Sequence, residues 1–447
     1  MAIPTIDPAW LEEVSEVLRI PSVSADPDHH DDVVRAAGWV RDFVRAAGGE
    51  CELVQGTSPR PLVIGELRAS QNADSAPAVL VYGHFDVQPP APLDKWESPP
   101  FEPEIRGEWL FARGVADDKG QLYLLLKAAA LLAAEGALPV NVRIACDGEE
   151  EVGGHAIVDW LADDERGADA AVVFDAHQPR RGQPAFYVAT RGICYFHVTV
   201  RTGGRDLHSG TFGGGALNAL HALMQAFSGV LARDGRLPEQ LREGIVPPTD
   251  EEIAGWAQLT PGAEELAGQG ARPADARAGE EFYLRTFAEP SVDVHGIEGG
   301  SPQLQKTVIP VGAEANFSIR LAPGQHPDVI GPKVEQLLRE AAPDGSELEI
   351  ERWTETEPGL VPPDADAIRL GQDAFERALG VRPLLLRAGG SIPIVAALSA
   401  RGIPAIVTGF DTPEGNLHSP NERFLVEHFP LGVSAARELY TALAALG

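Results

Sequence analysis

Cysteine is scarce in this chain. Only Cys51, Cys146 and Cys194 occur in 447 residues, with no CxxC pair and no even-numbered set. That excludes a disulfide framework, and three buried, inert thiols in a reducing compartment are expected. Basic charge is equally short: 36 Lys and Arg face 66 Asp and Glu, a net charge of −30 with a pI near 4.7. Nucleic acid and anionic membrane both need a basic surface, so neither is an expected partner. Long apolar runs are missing too. The most apolar helical stretch, "LYLLLKAAALLAAEG", is broken by Lys127 and is too short to span a bilayer. The N-terminal "MAIPTIDPAW" carries no basic region followed by an apolar one, so no signal peptide and a cytoplasmic location are expected.

What is present is a regular alternation in the first part of the chain. "PAWLEEVSEVLR" and "DDVVRAAGWVRDFVRAAG" space apolar residues three to four apart, as helices do. "APAVLVYG", "VNVRIAC" and "AAVVFDA" are short runs apolar on both faces, as strands buried between helices are. From about Ile193 the period changes. "ICYFHVTV" and "EANFSIRLA" alternate, the latter with Ala315, Phe317, Ile319 and Leu321 on one face, which predicts an antiparallel sheet with helices on one side. "GALNALHALMQAFSGVLA" and "PDVIGPKVEQLLREAA" supply those helices, and residues 232 to 290 read as loops and short helices between them. After about Thr354 the first pattern returns. The expected fold is an α/β domain with a mostly parallel sheet over 1–191 and 354–447, interrupted by a smaller α+β domain over 192–353.

Polar residues collect where the α/β strands stop. They are His84 and Asp86 in "GHFDVQP", Asp117 and Asp118 in "ARGVADDKG", Glu149 to Glu151 in "CDGEEEVGG", Asp175 in "VVFDAH", and His418 in "NLHSPNE". Each stretch has a bland meaning alone: a turn, an N-cap, a solvated acidic run, a surface loop. Together they lie at the carboxyl ends of strands in an open α/β sheet, where ligands bind. So many carboxylates in one crevice repel and raise one another's pKa unless cations are present. Two His with several carboxylates is a ligand set for divalent zinc, manganese or cobalt.

In that order, the stretches resemble the co-catalytic two-metal metallopeptidase family that contains carnosine dipeptidase, glutamate carboxypeptidase and aminoacylase. "GHFDVQP", "ARGVADDKG", "RDLHSG", "KTVIP", "FSIRL" and "GGSIP" are most similar to its cytosolic dipeptidase (carnosinase-like) branch. The resemblance runs over essentially the whole chain. It implies a zinc-peptidase α/β domain with an inserted ferredoxin-like lid domain through which two subunits dimerise. It further implies two metal ions per subunit, zinc first, with manganese or cobalt as alternatives. His84, Asp117 and Asp175 would hold one and Asp117, Glu151 and His418 the other. Asp117 would bridge, joined to Asp118 by a cis peptide, and Asp86 would accept the second ring N–H of His84. Glu150 would be the general base, with Glu149 one residue out of register.

The same resemblance makes His208 a residue that completes the partner subunit's oxyanion site, and Arg320 a clamp on the substrate's free carboxylate. Thr307 and Ser391 match further substrate-contacting positions. His29, His30, His221 and His428 read as surface or helix residues, and His177 as a neighbour of the site. The implied activity is hydrolysis of dipeptides or small peptides with a free C-terminal carboxylate. Two alternatives stand beside it: an N-acyl amino acid deacylase of the same fold, and a non-catalytic metal-dependent binding protein, which would have no need of Glu150.

Overall fold

Runs that are apolar on both faces build the first sheet. In the computed structural model, which describes residues 5–390 and 393–447, its strand order is Glu50–Gln55, Pro61–Leu67, Asn141–Asp147, Ala78–His84, Ala170–Phe174, Ala405–Thr408. The last four are mutually parallel, and the first two are antiparallel additions at one edge. Asn141–Asp147 and Ala170–Phe174 are buried at every position. The crossover from Ala78–His84 to Asn141–Asp147 includes the helix Lys119–Ala134, whose first eight residues are all buried. That burial explains an apolar composition with little amphipathic character. Helices Asp366–Leu379 and His428–Leu443 pack on each other and extend the cover.

This α/β unit runs up to Val188 and resumes at Val361–Leu386 and Pro393–Gly447. The second unit comprises Ala189–Leu360 and a short segment beginning at Arg387. Its four main strands are antiparallel in the order Ser291–Glu298, Gly312–Leu321, Gly192–Arg201, Glu347–Thr356. With helices Ala219–Phe227 and Pro327–Ala341, the chain order is β-α-β-β-α-β, the ferredoxin-like sequence of elements. Alternation places Cys194, Phe196, Val198, Ala315, Phe317 and Ile319 in one core with Leu223, Phe227, Val334 and Leu338 of those helices. Phe196 stacks on Phe317 with ring centroids 4.9 Å apart. Each such buried ring contributes roughly 1.5–3 kcal/mol. Between the helices, residues 232–290 form short turns of helix, including Asp250–Trp256, whose N-terminus is closed by a reciprocal Thr249–Glu252 capping box.

Two details lie beyond what the sequence specified. Leu384–Ala388 pairs with Ala185–Thr190 in a separate two-stranded sheet instead of joining the main one. Ser318, on the polar side of its strand, is buried because His295 from the neighbouring strand lies across it, Nε2 to Oγ 2.9 Å, and stacks on Tyr195. All three cysteines are buried. No helix among the described residues is long and apolar enough to cross a membrane.

Candidate metal centre

The site is assembled from strand ends. His84 is the last residue of its strand and stands in register with Asp147, which ends the adjacent parallel strand. Glu150 and Glu151 follow Asp147 in a single 3-10 turn, and Asp175 follows Phe174 directly. Gly83 has a definite reason to be glycine. A Cβ there would come within 2.7 Å of Asp118 Oδ2, the oxygen that accepts the His84 backbone N–H at 3.2 Å. Asp118 occupies the N-cap position of the following helix, but its side chain serves His84 instead of capping.

The ligating atoms converge in two triads that share one residue. His84 Nε2 lies 2.8 Å from Asp117 Oδ1 and 3.7 Å from Asp175 Oδ1. His418 Nε2 lies 2.7 Å from Asp117 Oδ2 and 3.2 Å from Glu151 Oε2. Within each triad the candidate ligand atoms lie within 4.8 Å of one another. Asp117 presents one oxygen to each side, and its peptide bond to Asp118 is cis.

The electrostatics show what such a donor set requires. Burial alone would raise the Asp117 pKa, but hydrogen bonds from His418 and His84 hold it well below the usual carboxylate range. Burial would lower His84, yet Asp117, Asp175 and Asp86 push it well above its ordinary value. Asp117 and then Glu151 drive His418 up to about 10. Asp175 is raised by burial. The acids draw positive charge into both triads, and a divalent cation in each would provide it. Nitrogen and carboxylate donors without thiolate fit zinc, manganese or cobalt.

The acidic run 149–151 resolves into three different jobs. The Glu149 carboxylate turns away and accepts the Ala156 N–H at 3.0 Å, at the start of the next helix. Glu151 joins the second triad. Glu150 is in neither triad, and burial followed by the charges of Asp175, Asp117 and Glu151 outweighs His84 to lift its pKa to about 8.

Asp86 differs in detail from its expected role. His84 Nδ1 is 3.3 Å from Asp86 Oδ1, but its hydrogen bond, at 3.2 Å, is to the Asp86 backbone oxygen. The Asp86 Oδ2 atom accepts the Glu151 N–H at 3.2 Å, so this residue braces a ligand of each triad. Sequence reasoning passed over Gln88, although it lies inside "GHFDVQP". Its backbone N–H and side-chain amide donate to the two oxygens of Glu151 at 3.1 and 2.8 Å. It also passed over Glu422 at the end of "NLHSPNE". His177 is near but is no part of either triad; its Nε2 lies 3.1 Å from the Tyr187 hydroxyl.

His208, Thr307 and Arg320 belong to the second unit. Leu207–His208 pairs with Val308–Ile309, and the Ser209 N–H donates to the Thr307 carbonyl at 3.0 Å. His208 is exposed, and its Nδ1 accepts the Gly210 N–H at 3.0 Å. With Nδ1 so used, a neutral imidazole carries its proton on Nε2, a free donor. Arg320 stands opposite Ile193 and Ser291 on the neighbouring strands. Ser391 lies outside the described residues.

Residues 80–442 match the family profile described as peptidase family M20/M25/M40. The Cys-Gly metallodipeptidase dug1 of Schizosaccharomyces pombe is 28% identical over 454 residues, covering 95% of this chain and 93% of that protein. The Beta-Ala-His dipeptidase of Rattus norvegicus is 28% identical over 403 residues, covering 83% of this chain and 80% of that protein. Among solved structures, an M20 family metallo-carboxypeptidase from Sulfolobus solfataricus has the same fold, with a TM-score of 0.82 at 23% identity, over 98% of this chain and 100% of that one.

Proposed function

The chain belongs to the M20/M25/M40 peptidase family, a family of metallopeptidases, and on that premise we propose that it hydrolyses dipeptides bearing a free C-terminal carboxylate. The observation that carries this reading is Glu150: a carboxyl adjacent in sequence to Glu151 of the second triad, beside two triads that share Asp117 and bound into neither. A carboxylate of that kind is suited to take a proton and return it. The names of the relatives, a Cys-Gly dipeptidase and a Beta-Ala-His dipeptidase, support small dipeptides as the substrate class.

In this reading His84, Asp117 and Asp175 hold one divalent ion and Asp117, Glu151 and His418 the other, zinc or manganese. When bound, the ions polarise the scissile carbonyl and lower the pKa of water toward about 7. Glu150 removes the proton of the attacking water and delivers it to the leaving amine. His208, in a homodimer formed through the second unit, offers its Nε2–H to the oxyanion of the partner subunit's substrate. Arg320 holds the substrate carboxylate, with Thr307 and Ser391 beside the substrate. The setting is cytoplasmic.

The test is hydrolysis of a diverse dipeptide panel and a panel of N-acetyl amino acids by metal-stripped protein reconstituted separately with zinc and manganese. Turnover of dipeptides above the acetylated panel is expected. Preference for the acetylated panel would make the protein a deacylase, and turnover of neither would remove the enzymatic reading.

A further inference from the structure

Asp117, which both triads share, and His418, which belongs to one, come from separate loops, and both loops meet at one buried side chain. Glu422 is fully buried, and all four lone-pair positions of its carboxylate are in use. Oε2 accepts from Arg113 Nη1 at 2.7 Å and from the Gly114 N–H at 2.9 Å. Oε1 accepts from the N–H groups of Ala116 at 2.8 Å and Asp117 at 3.2 Å. The backbone oxygen of Glu422 takes the Ala112 N–H at 3.2 Å. Three of the four N–H groups from Gly114 to Asp117 are therefore read by one carboxylate, ending on the residue common to both triads. Gly114 makes the wrap possible: its φ is +84°, and a Cβ would press on Val87 at 2.5 Å.

The second loop is tied in through Arg113. Its Nη2 donates to the Ser419 carbonyl at 3.4 Å, adjacent to His418. That loop is held in an unfavoured conformation, with φ of 57° at Asn416, 56° at His418 and 62° at Asn421. A left-handed His persists only where its surroundings impose it.

We propose that Glu422, with Arg113, is the positioning residue of the metal centre, setting the angle of the Asp117 bridge and the His418 loop together so that the ligands are in place before metal arrives. This rests on the two-metal reading above. Partners that orient ligands in this manner set metal affinity by roughly 10–100-fold.

A matched control exists in the second unit, where Arg387 and Glu252 form another buried pair, Nε to Oε1 2.6 Å, with Glu252 also capping a helix. Glu422→Gln and Glu252→Gln each replace two acceptor positions with an NH2 group, and both should lower Tm. The discriminating measurement is the dissociation constant for Zn2+ and for Mn2+, from competition with a chelating dye on folded protein. For Glu422→Gln, metal binding roughly 10–100-fold weaker than wild type is expected, with activity restored by excess metal at unchanged KM. Glu252→Gln should bind metal as wild type does. Equal metal affinity in Glu422→Gln and wild type, or equal weakening in both variants, overturns the proposal. Wild type that binds neither ion overturns the two-metal reading instead. Should Glu422→Gln not fold, Arg113→Lys takes its place against the same control: it keeps the three backbone N–H bonds to Glu422 and loses the tie to Ser419.

Discussion

The strand-end cluster of the first unit and the candidate substrate groups of the second are built on opposite principles. His84 and Asp86 are fully buried, and Asp117, Gln88 and Glu422 are braced from several sides. His208 and Thr307 are exposed, and His208 sits in a run from Gly203 to Gly215 in which no residue is buried. The difference follows from what each group must resist. Carboxylates gathered at one point repel, so they stay together only if backbone and neighbouring donors fix them; a donor that meets a substrate must be reachable.

The contrast breaks first at Glu150, which like Asp175 and Glu151 is only partly buried, beside an exposed His418. Glu150→Gln should keep both metals and lose roughly 10²–10⁴-fold in kcat. Glu149→Gln should stay active, since Glu149 faces the Ala156 N–H. Reversed behaviour, read from metal content and kcat, would place the base one residue earlier.

His208 tests the exposed side. His208→Ala should lower kcat by about 10²–10³ with metal content unchanged. Mixing it with Glu150→Gln subunits should restore activity, up to about a quarter of wild type for random exchange, because one site of a mixed dimer then has both residues. Exchanged but dead mixtures would confine His208 to its own subunit or to no catalytic role.

Arg320→Ala should raise KM roughly 10–100-fold for a free dipeptide, the worth of a hydrogen bond between charged groups. The C-terminal amide of the same dipeptide should be little affected. An equal rise for both would make Arg320 part of the sheet's own polar network.

The last effect is on stability and concerns the packing behind the cluster. His428 is buried, which lowers its pKa from 6.5 to about 4, while Nδ1–H donates to the Phe410 carbonyl. Between those values the unfolded chain binds a proton that the folded chain refuses. This residue's contribution is therefore intact above pH 6.5 and is lost as pH falls toward 4, by about 3 kcal/mol in all. His428→Gln keeps a donor without the titration, so urea unfolding of the variant should lose less stability over that interval. Parallel pH curves for the two proteins would show His428 to be solvated.

The sequence resolved some of these residues and not others for identifiable reasons. His84 and Asp175 were visible because apolar strands stop at them, burial of a strand being a local property, whereas the choice of Asp117, Glu151 and His418 as ligands came from the family resemblance. Gln88 and Glu422 sat inside quoted motifs and were missed, because a side chain that serves another loop has no local signature. Glu422 reaches Ala116 across 306 positions of sequence. The pairing of Leu384–Ala388 was not legible for a related reason. Its apolar run specifies a buried strand, but the partner, Ala185–Thr190, is a choice made in three dimensions.

Periodicity thus determined, from the chain alone, an α/β unit interrupted by an antiparallel one, and strand-end chemistry marked the acids and histidines from which the family resemblance picked a ligand set. Only the tertiary structure decided which oxygen of Asp117 faces which histidine, that Asp86 presents its backbone oxygen to His84, and that Glu149 turns away while Glu150 does not. Composition and period are written residue by residue. The direction of a carboxylate depends on which N–H groups the rest of the fold brings within about 3 Å of it, and those come from segments the local sequence does not contain.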